Sequence, residues 1–183
     1  STFDQDLGWC LDDDVEMEGF AGGAFDNTPC ESTSCGVMWE TNTGDCDVSR
    51  TGNIMVNWKI RWAVTAWLAD ATSAEATYGH ISTWETSGVT EMSMLFCGDS
   101  GVFPCNPAAK FFNEDITAWD TSGATNMFAM FWGAWSFNQD ISNWAVHRVM
   151  AMESMFSGAS SFNQDIGAWA VHSVTVMRDM FNN

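Results

Sequence analysis

The chain has 183 residues, of which 46% are hydrophobic, and 24 acidic residues against 6 basic ones give a formal net charge of −18. The apolar share is sufficient for a packed core and argues against intrinsic disorder. The negative charge argues against nucleic acid and anionic membranes as partners, and it favours cations or basic surfaces. Apolar runs are short and interrupted by polar residues, so no membrane-spanning segment is expected.

Residues 1–47 combine a short phrase with a cysteine-bearing segment. The phrase TFDQDLGW at residues 2–9 precedes an acidic stretch, after which further cysteines follow. We interpret residues 1–47 as a last-coil-like phrase plus a cystine-rich cap. This cap would close either the stack of its own chain or that of a neighbouring copy. The order of the pieces predicts that the chain is a segment of a larger protein or of a tandem polymer.

Residues 48–77 are predicted to form a linker and an amphipathic capping helix. Within residues 54–69, apolar side chains recur at helical spacing and define one face. These side chains are Val56, Ile60, Ala63, Val64, Trp67 and Leu68. A helix directly before a set of repeats is expected to cover the open end of the stack.

A phrase of about 25 residues recurs four times over residues 78–183. Its copies are marked by Trp84, Trp119, Trp144 and Trp169, which lie 35, 25 and 25 residues apart. A single coil of this length cannot bury its own apolar face, so stacked coils are expected to share one core. The stretch before each Trp predicts a short parallel strand, and the Met-rich stretch after it predicts one or two helical turns.

The first copy is longer because it contains an insertion at residues 97–110. This insertion holds Cys97 and Cys105, which we predict to form a disulfide that closes the loop. The other disulfide candidates, without assigned partners, are Cys10, Cys30, Cys35 and Cys46. Zinc binding is the alternative, but the spacings contain no tight CxxC pair and no paired histidines follow. Disulfides would indicate an oxidising compartment.

Two groups of acidic residues are weak candidates for a calcium site, one repeated in the strand phrase and one clustered near residue 13. They are Asp12, Asp13, Asp14, Asp115, Asp140 and Asp165. The alternative is that the repeated carboxylates bond the backbone where each coil turns, and that the cluster is a solvated face. No firm metal site and no other cofactor are predicted.

Four further residues are candidates for an interaction surface. They are Trp132, Trp135, His147 and His172. The two tryptophans are bulky where other copies have small residues, so they would contact sugars or another chain, or pack at an edge. The two histidines share a repeat position, where they would bind a transition metal or lie at an exposed corner. No catalytic motif is present, so neither catalytic residues nor enzyme activity are predicted.

The repeat carries a family resemblance. The pattern F-N-Q-D-I-x-x-W, followed by M-x-x-M-F-x-G-A, covers residues 78–183 well and residues 1–9 in part. It resembles the BspA-like surface-protein repeat, a leucine-rich-repeat relative, and the cystine-rich segment and helix look most like algal and protist versions. The resemblance implies an extracellular or cell-surface protein used for adhesion or as structural material, and it implies no catalytic residues.

These observations predict an α/β fold, namely a right-handed leucine-rich-repeat-like solenoid of ~25-residue coils with a helical N-terminal cap and a cystine-rich cap. The leading functional interpretation is a structural or adhesive module that stacks end to end with like modules into a fibre or surface array. The alternative is a module that recognises glycan or extracellular protein with the help of calcium. The expected partners are other copies or flanking modules, or such a ligand, and not nucleic acid or a membrane.

Overall fold

The computed structural model describes residues 10–12, 18–19, 22–23, 38–40, 51–99 and 105–182. The chain divides into two compact units, Ser1–Ser49 and Arg50–Asn183. The phrase at residues 2–9 and the cysteines at positions 30, 35 and 46 lie outside the described residues, and so do the side chains of Cys10 and Asp12.

The described part of the first unit consists of two small sheets. Strand β1 (Cys10–Asp12) pairs in parallel with β4 (Met38–Glu40). Strand β2 (Glu18–Gly19) pairs antiparallel with β3 (Gly22–Gly23). Each sheet has two strands, so β1 is paired along one of its edges within the described residues.

The second unit begins with a strand and two helices. Strand β5 (Ile54–Val56) leads directly into α1 (Asn57–Ala69), and α2 (Ala71–Tyr78) follows after Asp70. The helix predicted over residues 54–69 therefore begins three residues later, because its first residues pair in parallel with β6 (Glu85–Gly88). Helix α2 was not predicted from the sequence, and its start is capped by the Asp70 carboxylate.

Helix α1 buries the apolar face that its sequence predicts, but it also buries a charged side chain. Ile60, Ala63 and Val64 are buried, and Lys59, which directly precedes Ile60, is fully buried as well. Lys59 Nζ donates a hydrogen bond to the Thr51 carbonyl oxygen at 2.8 Å. Burial lowers the pKa of Lys59, because removing an ammonium group from water disfavours its charged form.

Helix α1 takes the place of a preceding repeat for the first copy. The Thr125 and Thr175 backbone N–H groups donate to carbonyl oxygens of the preceding copy, those of Thr90 and Met150, both at 2.8 Å. The Thr90 N–H group instead donates to Asn57 Oδ1 of α1, at 2.9 Å. One side of the repeat array is therefore covered by a helix.

Successive copies of the repeat lie beside one another in register. Single parallel bridges join Glu91 to Asn126, Asn126 to Ala151, and Ala151 to Val176. These residues occupy the same position in each copy, in the Met-rich stretch. Each copy thus contacts the next along its backbone, but through one bridge rather than through a strand.

The predicted right-handed leucine-rich-repeat-like solenoid is wrong. Such a solenoid contributes a β-strand from every repeat to a continuous parallel sheet. The described residues of the second unit contain two helices, short 3-10 turns and one two-stranded parallel sheet, with isolated bridges elsewhere. The chain is a small α/β protein in which turn-rich repeats follow the two helices, and none of its described helices is long and apolar enough to cross a membrane.

The strand predicted before each Trp is a turn. In the second copy, the Trp119 N–H group donates to the Ile116 carbonyl at 3.1 Å, and the Asp115 carboxylate accepts from the Thr117 N–H group at 2.9 Å. These local hydrogen bonds fold the backbone back on itself, and they use donors that a strand would direct to its neighbours.

The helical turn predicted in the Met-rich stretch is interrupted by one residue in the left-handed conformation. The φ angles are 55°, 51°, 56° and 54° at Met94, Ala129, Ser154 and Asp179. A left-handed residue cannot continue a right-handed helix, so the backbone N–H groups here are not bonded within one helix. The Met94 N–H group instead donates to the Phe128 carbonyl of the next copy at 2.9 Å.

Aromatic rings stack from copy to copy and form much of the core. In one column the ring centroids are 5.5, 5.6 and 5.7 Å apart and the planes are nearly parallel. Its rings belong to Phe96, Phe131, Phe156 and Phe181. A second column stacks with separations of 6.1 and 5.8 Å. Its rings belong to Phe112, Phe137 and Phe162.

The four repeat tryptophans are held by hydrogen bonds as well as by burial. Trp119 Nε1 donates to the Ile81 carbonyl at 2.9 Å, and Trp144 Nε1 donates to the Ile116 carbonyl at 3.3 Å. Both acceptors lie in the preceding copy, so each indole is satisfied while it joins two copies. The repeat positions identified in the sequence therefore correspond to stacked side chains.

Candidate interaction surface

The last copy leaves apolar side chains uncovered that the preceding copy buries. Met152 and Phe156 are 0% and 2% exposed, whereas their equivalents Met177 and Phe181 are 42% and 55% exposed. Val171 and Val176 of the last copy are also exposed, at 41% and 38%. The last copy covers the equivalent side chains of the preceding copy, so the exposed group marks the surface on which a further copy of the repeat would stack.

The exposed group belongs to one surface, which we call the last-repeat edge. It consists of Val171, Val176, Met177 and Phe181 together with Asn163 of the same copy. In the described part of the chain it lies at the opposite end of the array from α1, which packs on the first copy.

The backbone of the last-repeat edge carries hydrogen-bond donors. Each earlier copy directs N–H groups to carbonyl oxygens of the copy that follows, at 2.8 to 2.9 Å in the third copy. Those donors are Met152, Ser154 and Phe156, and their acceptors are Val176, Arg178 and Met180. The equivalent N–H groups of Met177, Asp179 and Phe181 have no hydrogen-bond partner among the residues that the structure describes.

Asparagine side chains supply hydrogen-bond acceptors at the same edge. Asn113 Oδ1 accepts from the Asn138 N–H group at 2.8 Å, and Asn138 Oδ1 accepts from the Asn163 N–H group at 2.8 Å. The neighbouring glutamine adds a second bond, since Gln164 Nε2 donates to the Asn138 carbonyl at 2.8 Å. Asn163 therefore presents a side-chain oxygen and a carbonyl oxygen in the geometry that a following copy would use.

The aspartates proposed as calcium ligands bond their own turns. Asp140 accepts from the Ser142 N–H group at 3.0 Å, and Asp165 accepts from the Gly167 N–H group at 2.9 Å. Backbone and side-chain hydrogen bonds from Thr117 lower the pKa of Asp115, and those from Ser142 lower the pKa of Asp140. Within the described ranges, no group of three or more His, Cys, Asp or Glu side chains is placed to hold a metal ion. The side chains of Asp12, Asp13 and Asp14 lie outside those ranges.

The two histidines and two tryptophans predicted to form an interaction surface are not among the residues of the last-repeat edge. His147 and His172 are both exposed, and the His147 carbonyl accepts from Ser173 Oγ at 2.6 Å. Trp132 is half-buried, whereas Trp135 is 49% exposed and Lys110 Nζ lies 4.7 Å from its ring centroid.

One exposed aromatic side chain was missed by the sequence analysis. Phe111 is 74% exposed and follows Lys110, whose carbonyl accepts from the Ser136 N–H group at 3.0 Å. This bond places Phe111 beside the copy that carries Trp135. Lys110, the sequence neighbour of Phe111, holds its ammonium group over the Trp135 ring, and we call Phe111, Lys110 and Trp135 together the aromatic patch. The signal for it is a Phe at residue 111 where the later copies have Ser.

The first copy of the repeat carries two further features, a disulfide in its insertion and an open cleft. Cys97 and Cys105 form a disulfide with Cα atoms 5.0 Å apart, the pairing that the sequence predicts. An open cleft of 350 Å³ is lined mainly by residues 82–87 of the first copy, with Asp120 and Ala118 of the second. Its two carboxylates, Glu85 and Asp120, are exposed to solvent.

Comparison with known proteins identifies a protein family. A family model described as "Mycoplasma protein of unknown function, DUF285" matches residues 65–183, a range that includes all four copies of the repeat. No curated protein and no solved structure matches the chain. The match supports the resemblance to BspA-like surface repeats in its broad form, and it does not extend to the algal and protist versions.

Proposed function

The chain belongs to the family described as Mycoplasma protein of unknown function, DUF285, and we propose that it is a structural repeat domain that associates end to end with further copies through the last-repeat edge. The observation that carries this proposal is the exposure of Met177 and Phe181, whose equivalents in the preceding copy are buried. Donors and acceptors at the same edge are arranged as they are between copies.

The energetics favour a weak and concentration-dependent association. Full burial of a Val, Met or Phe side chain stabilises by about 1.5–3 kcal/mol, so covering the exposed fractions of four such side chains contributes about 3–5 kcal/mol. Three backbone hydrogen bonds add about 2–4 kcal/mol. Loss of translational and rotational freedom costs about 4–15 kcal/mol, so the edge alone supports assembly at high local concentration, as on a surface.

Charge distinguishes this mode of association from binding to a basic partner. Each 183-residue chain carries a net charge of −18, so like chains repel one another. Salt screens this repulsion, with a Debye length of about 8 Å at physiological ionic strength. Association through the apolar edge is therefore expected to strengthen as salt is added, whereas binding to a basic surface would weaken.

A cell-surface or extracellular location fits this role. The family match and the Cys97–Cys105 disulfide are compatible with it, since disulfides persist in oxidising compartments. We include in the proposal that the domain is not an enzyme and that its partners are other copies or flanking modules of the same kind. Resemblance to algal and protist surface proteins remains part of the proposal.

The test compares two phenylalanine substitutions by sedimentation velocity over a concentration series. Phe181→Asp places a carboxylate on the last-repeat edge, whereas Phe111→Asp makes the same change at a more exposed ring outside it. We expect wild type and Phe111→Asp to form larger species as concentration rises, and Phe181→Asp to remain monomeric. Equal association of both variants would refute the role of the edge.

The aromatic patch favours a second candidate function, which is recognition of a glycan. Trp135 and Phe111 present exposed rings, and sugars stack on such rings in many binding sites. The test is titration of the protein with soluble oligosaccharides while tryptophan fluorescence is recorded. Saturable quenching that Trp135→Ala abolishes and Phe181→Asp leaves intact would support this function, and no response to any sugar class would exclude it.

A further inference from the structure

We propose that His147 and His172 together bind one divalent transition-metal ion of the class Cu²⁺, Ni²⁺ and Zn²⁺. The two residues occupy the same position in the third and fourth copies of the repeat. Imidazole nitrogen is a preferred ligand of these ions. Both ligands belong to one chain, so the site does not depend on the association proposed above.

Both histidines lie at the second residue of a four-residue turn. In each turn the N–H group of the fourth residue donates to the carbonyl of the first, at 3.0 Å in residues 146–149 and at 3.1 Å in residues 171–174. Equivalent turns in adjacent copies place equivalent side chains side by side. The two imidazoles therefore leave the backbone at matching points.

The two turns are in direct contact. Ser173, which follows His172, donates from its Oγ to the His147 carbonyl oxygen at 2.6 Å. Elsewhere in the same two copies the equivalent rings of Phe156 and Phe181 lie 5.7 Å apart, with their planes inclined by 7°. Adjacent parallel segments are spaced about 4.8 Å apart, so the two histidine side chains start about 5 Å from one another.

This separation suits two ligands of one ion. A metal–nitrogen bond of about 2.0–2.1 Å places two nitrogens on the same ion about 3–3.5 Å apart. Imidazoles that start about 5 Å apart reach that distance when their rings lean together. Two histidines supply half of a four-coordinate shell, and water supplies the rest. The site is thus a chelate that joins two copies of the repeat.

Access to the site follows from the turn and not from the end of the array. His147 is exposed although the second and fourth copies both bond the third along its backbone. Ser87, at the equivalent turn position of the first copy, is exposed as well. An ion can therefore reach both imidazoles from solvent.

The surroundings favour imidazole ligation over carboxylate ligation. Two residues before this turn position, the first two copies carry a carboxylate and the last two carry alanine, so the acidic ligands that Ca²⁺ and Mg²⁺ prefer are replaced. These residues are Glu85, Asp120, Ala145 and Ala170. Arg148 follows His147, but it is exposed and water screens its charge. The chain's net charge of −18 attracts cations.

The test is calorimetric titration of the 183-residue chain with Cu²⁺, Ni²⁺ and Zn²⁺, at a protein concentration where it is monomeric. We expect saturable binding of one ion per chain. His172→Asn should weaken it about tenfold or more, because one of two protein ligands is lost. His80→Asn is the matched control, since the third histidine of the chain lies in a different turn, with Nδ1 2.8 Å from Ser82 Oγ. It should bind as wild type does.

A further variant tests the stacking of the turns directly. Ser122 holds the equivalent turn position in the second copy, so Ser122→His adds a third imidazole beside His147. This variant should bind about tenfold more tightly than wild type. Unchanged affinity would mean that adjacent turns do not bring their second side chains together, and the proposed chelate would fail.

Four other results would overturn the assignment. Binding that survives replacement of both His147 and His172 by Asn would place the ion elsewhere. One ion per two chains would mean that two chains share it, which contradicts chelation within one chain. Equal affinity for Ca²⁺ would indicate carboxylate ligands. No saturable binding of any of the three transition-metal ions, by a wild-type chain whose circular dichroism shows that it is folded, would exclude the site.

Discussion

The stacked phenylalanine column predicts that one substitution has a graded cost along the array. Phe131 is fully buried, and its ring lies 5.5 Å from Phe96, 3.8 Å from Phe137 and 5.6 Å from Phe156. Phe131→Ala removes these contacts and leaves a cavity, which costs about 3–5 kcal/mol. Phe181 is 55% exposed and stacks on Phe156 alone among the described rings. We expect Phe181→Ala to cost about 1–3 kcal/mol, from half of the burial term and one ring pair.

The assay is equilibrium unfolding in urea at a protein concentration low enough to keep the chain monomeric. Both variants should shift the midpoint without changing the slope, because the surface exposed on unfolding is nearly the same. A conservative control, Phe131→Leu, keeps most of the volume and should cost less than Phe131→Ala. Equal costs for Phe131→Ala and Phe181→Ala would refute the reasoning, since they would mean that ring stacking between copies does not determine stability.

Three further predictions concern groups outside the column. Loss of the Cys97–Cys105 disulfide, by replacing both residues with Ser, should lower the free energy of unfolding by about 2–3 kcal/mol, as measured in urea. Because the pKa of Asp140 is lowered in the folded chain, its carboxylate stabilises the fold above pH ~4, and this stabilisation is lost as pH falls through the folded-state pKa. Asp140→Asn should therefore weaken the dependence of the free energy of unfolding on pH in the acid range. Burial lowers the pKa of Lys59, so in the unfolded chain the Lys59 amine keeps its proton to a higher pH than in the folded chain. The free energy of unfolding should therefore rise with pH up to about 10.4. Lys59→Met should remove that rise in thermal unfolding measured from about pH 7 to 10.5.

The sequence predicted which residues stack but not the backbone that carries them. The recurrence of Trp119 and Trp144 and of the phenylalanines shows that the same position lies over itself in successive copies, and the ring columns follow from that spacing. The strand predicted before each Trp and the helical turn predicted in the Met-rich stretch are wrong, because the periodicity of side chains does not determine the backbone conformation. The turn at Asp115 depends on a carboxylate that bonds the backbone two residues on, and this residue type is equally common in loops next to strands.

Two features could not be read from the pattern of residue types. The left-handed conformation at Ser154 and at its equivalents occurs without glycine, so the usual signal for it is missing. The second feature is that Asn138 bonds the backbone of the next copy, whereas its residue type would equally allow a bond within its own turn. That difference matters for function, because only bonding between copies leaves unused acceptors at Asn163.

The exposed last-repeat edge was the least accessible feature to sequence reasoning. Met177 and Phe181 are the same residue types as their buried equivalents, so their exposure depends on what lies beside them and not on their identity. The same holds for Lys59, whose charge predicts a surface position although it is buried in α1. In both cases burial is a property of the tertiary structure.

The most direct test of the account is the sedimentation of the wild-type chain as salt and protein concentration are raised together. Association through the last-repeat edge predicts species whose mass increases by whole chains as concentration rises. Their fraction should increase with salt, because salt screens the repulsion between chains of net charge −18. Phe181→Asp should abolish these species, whereas Phe111→Asp should not. A chain that stays monomeric under all conditions, or that associates equally well with Phe181→Asp, would contradict association through this edge.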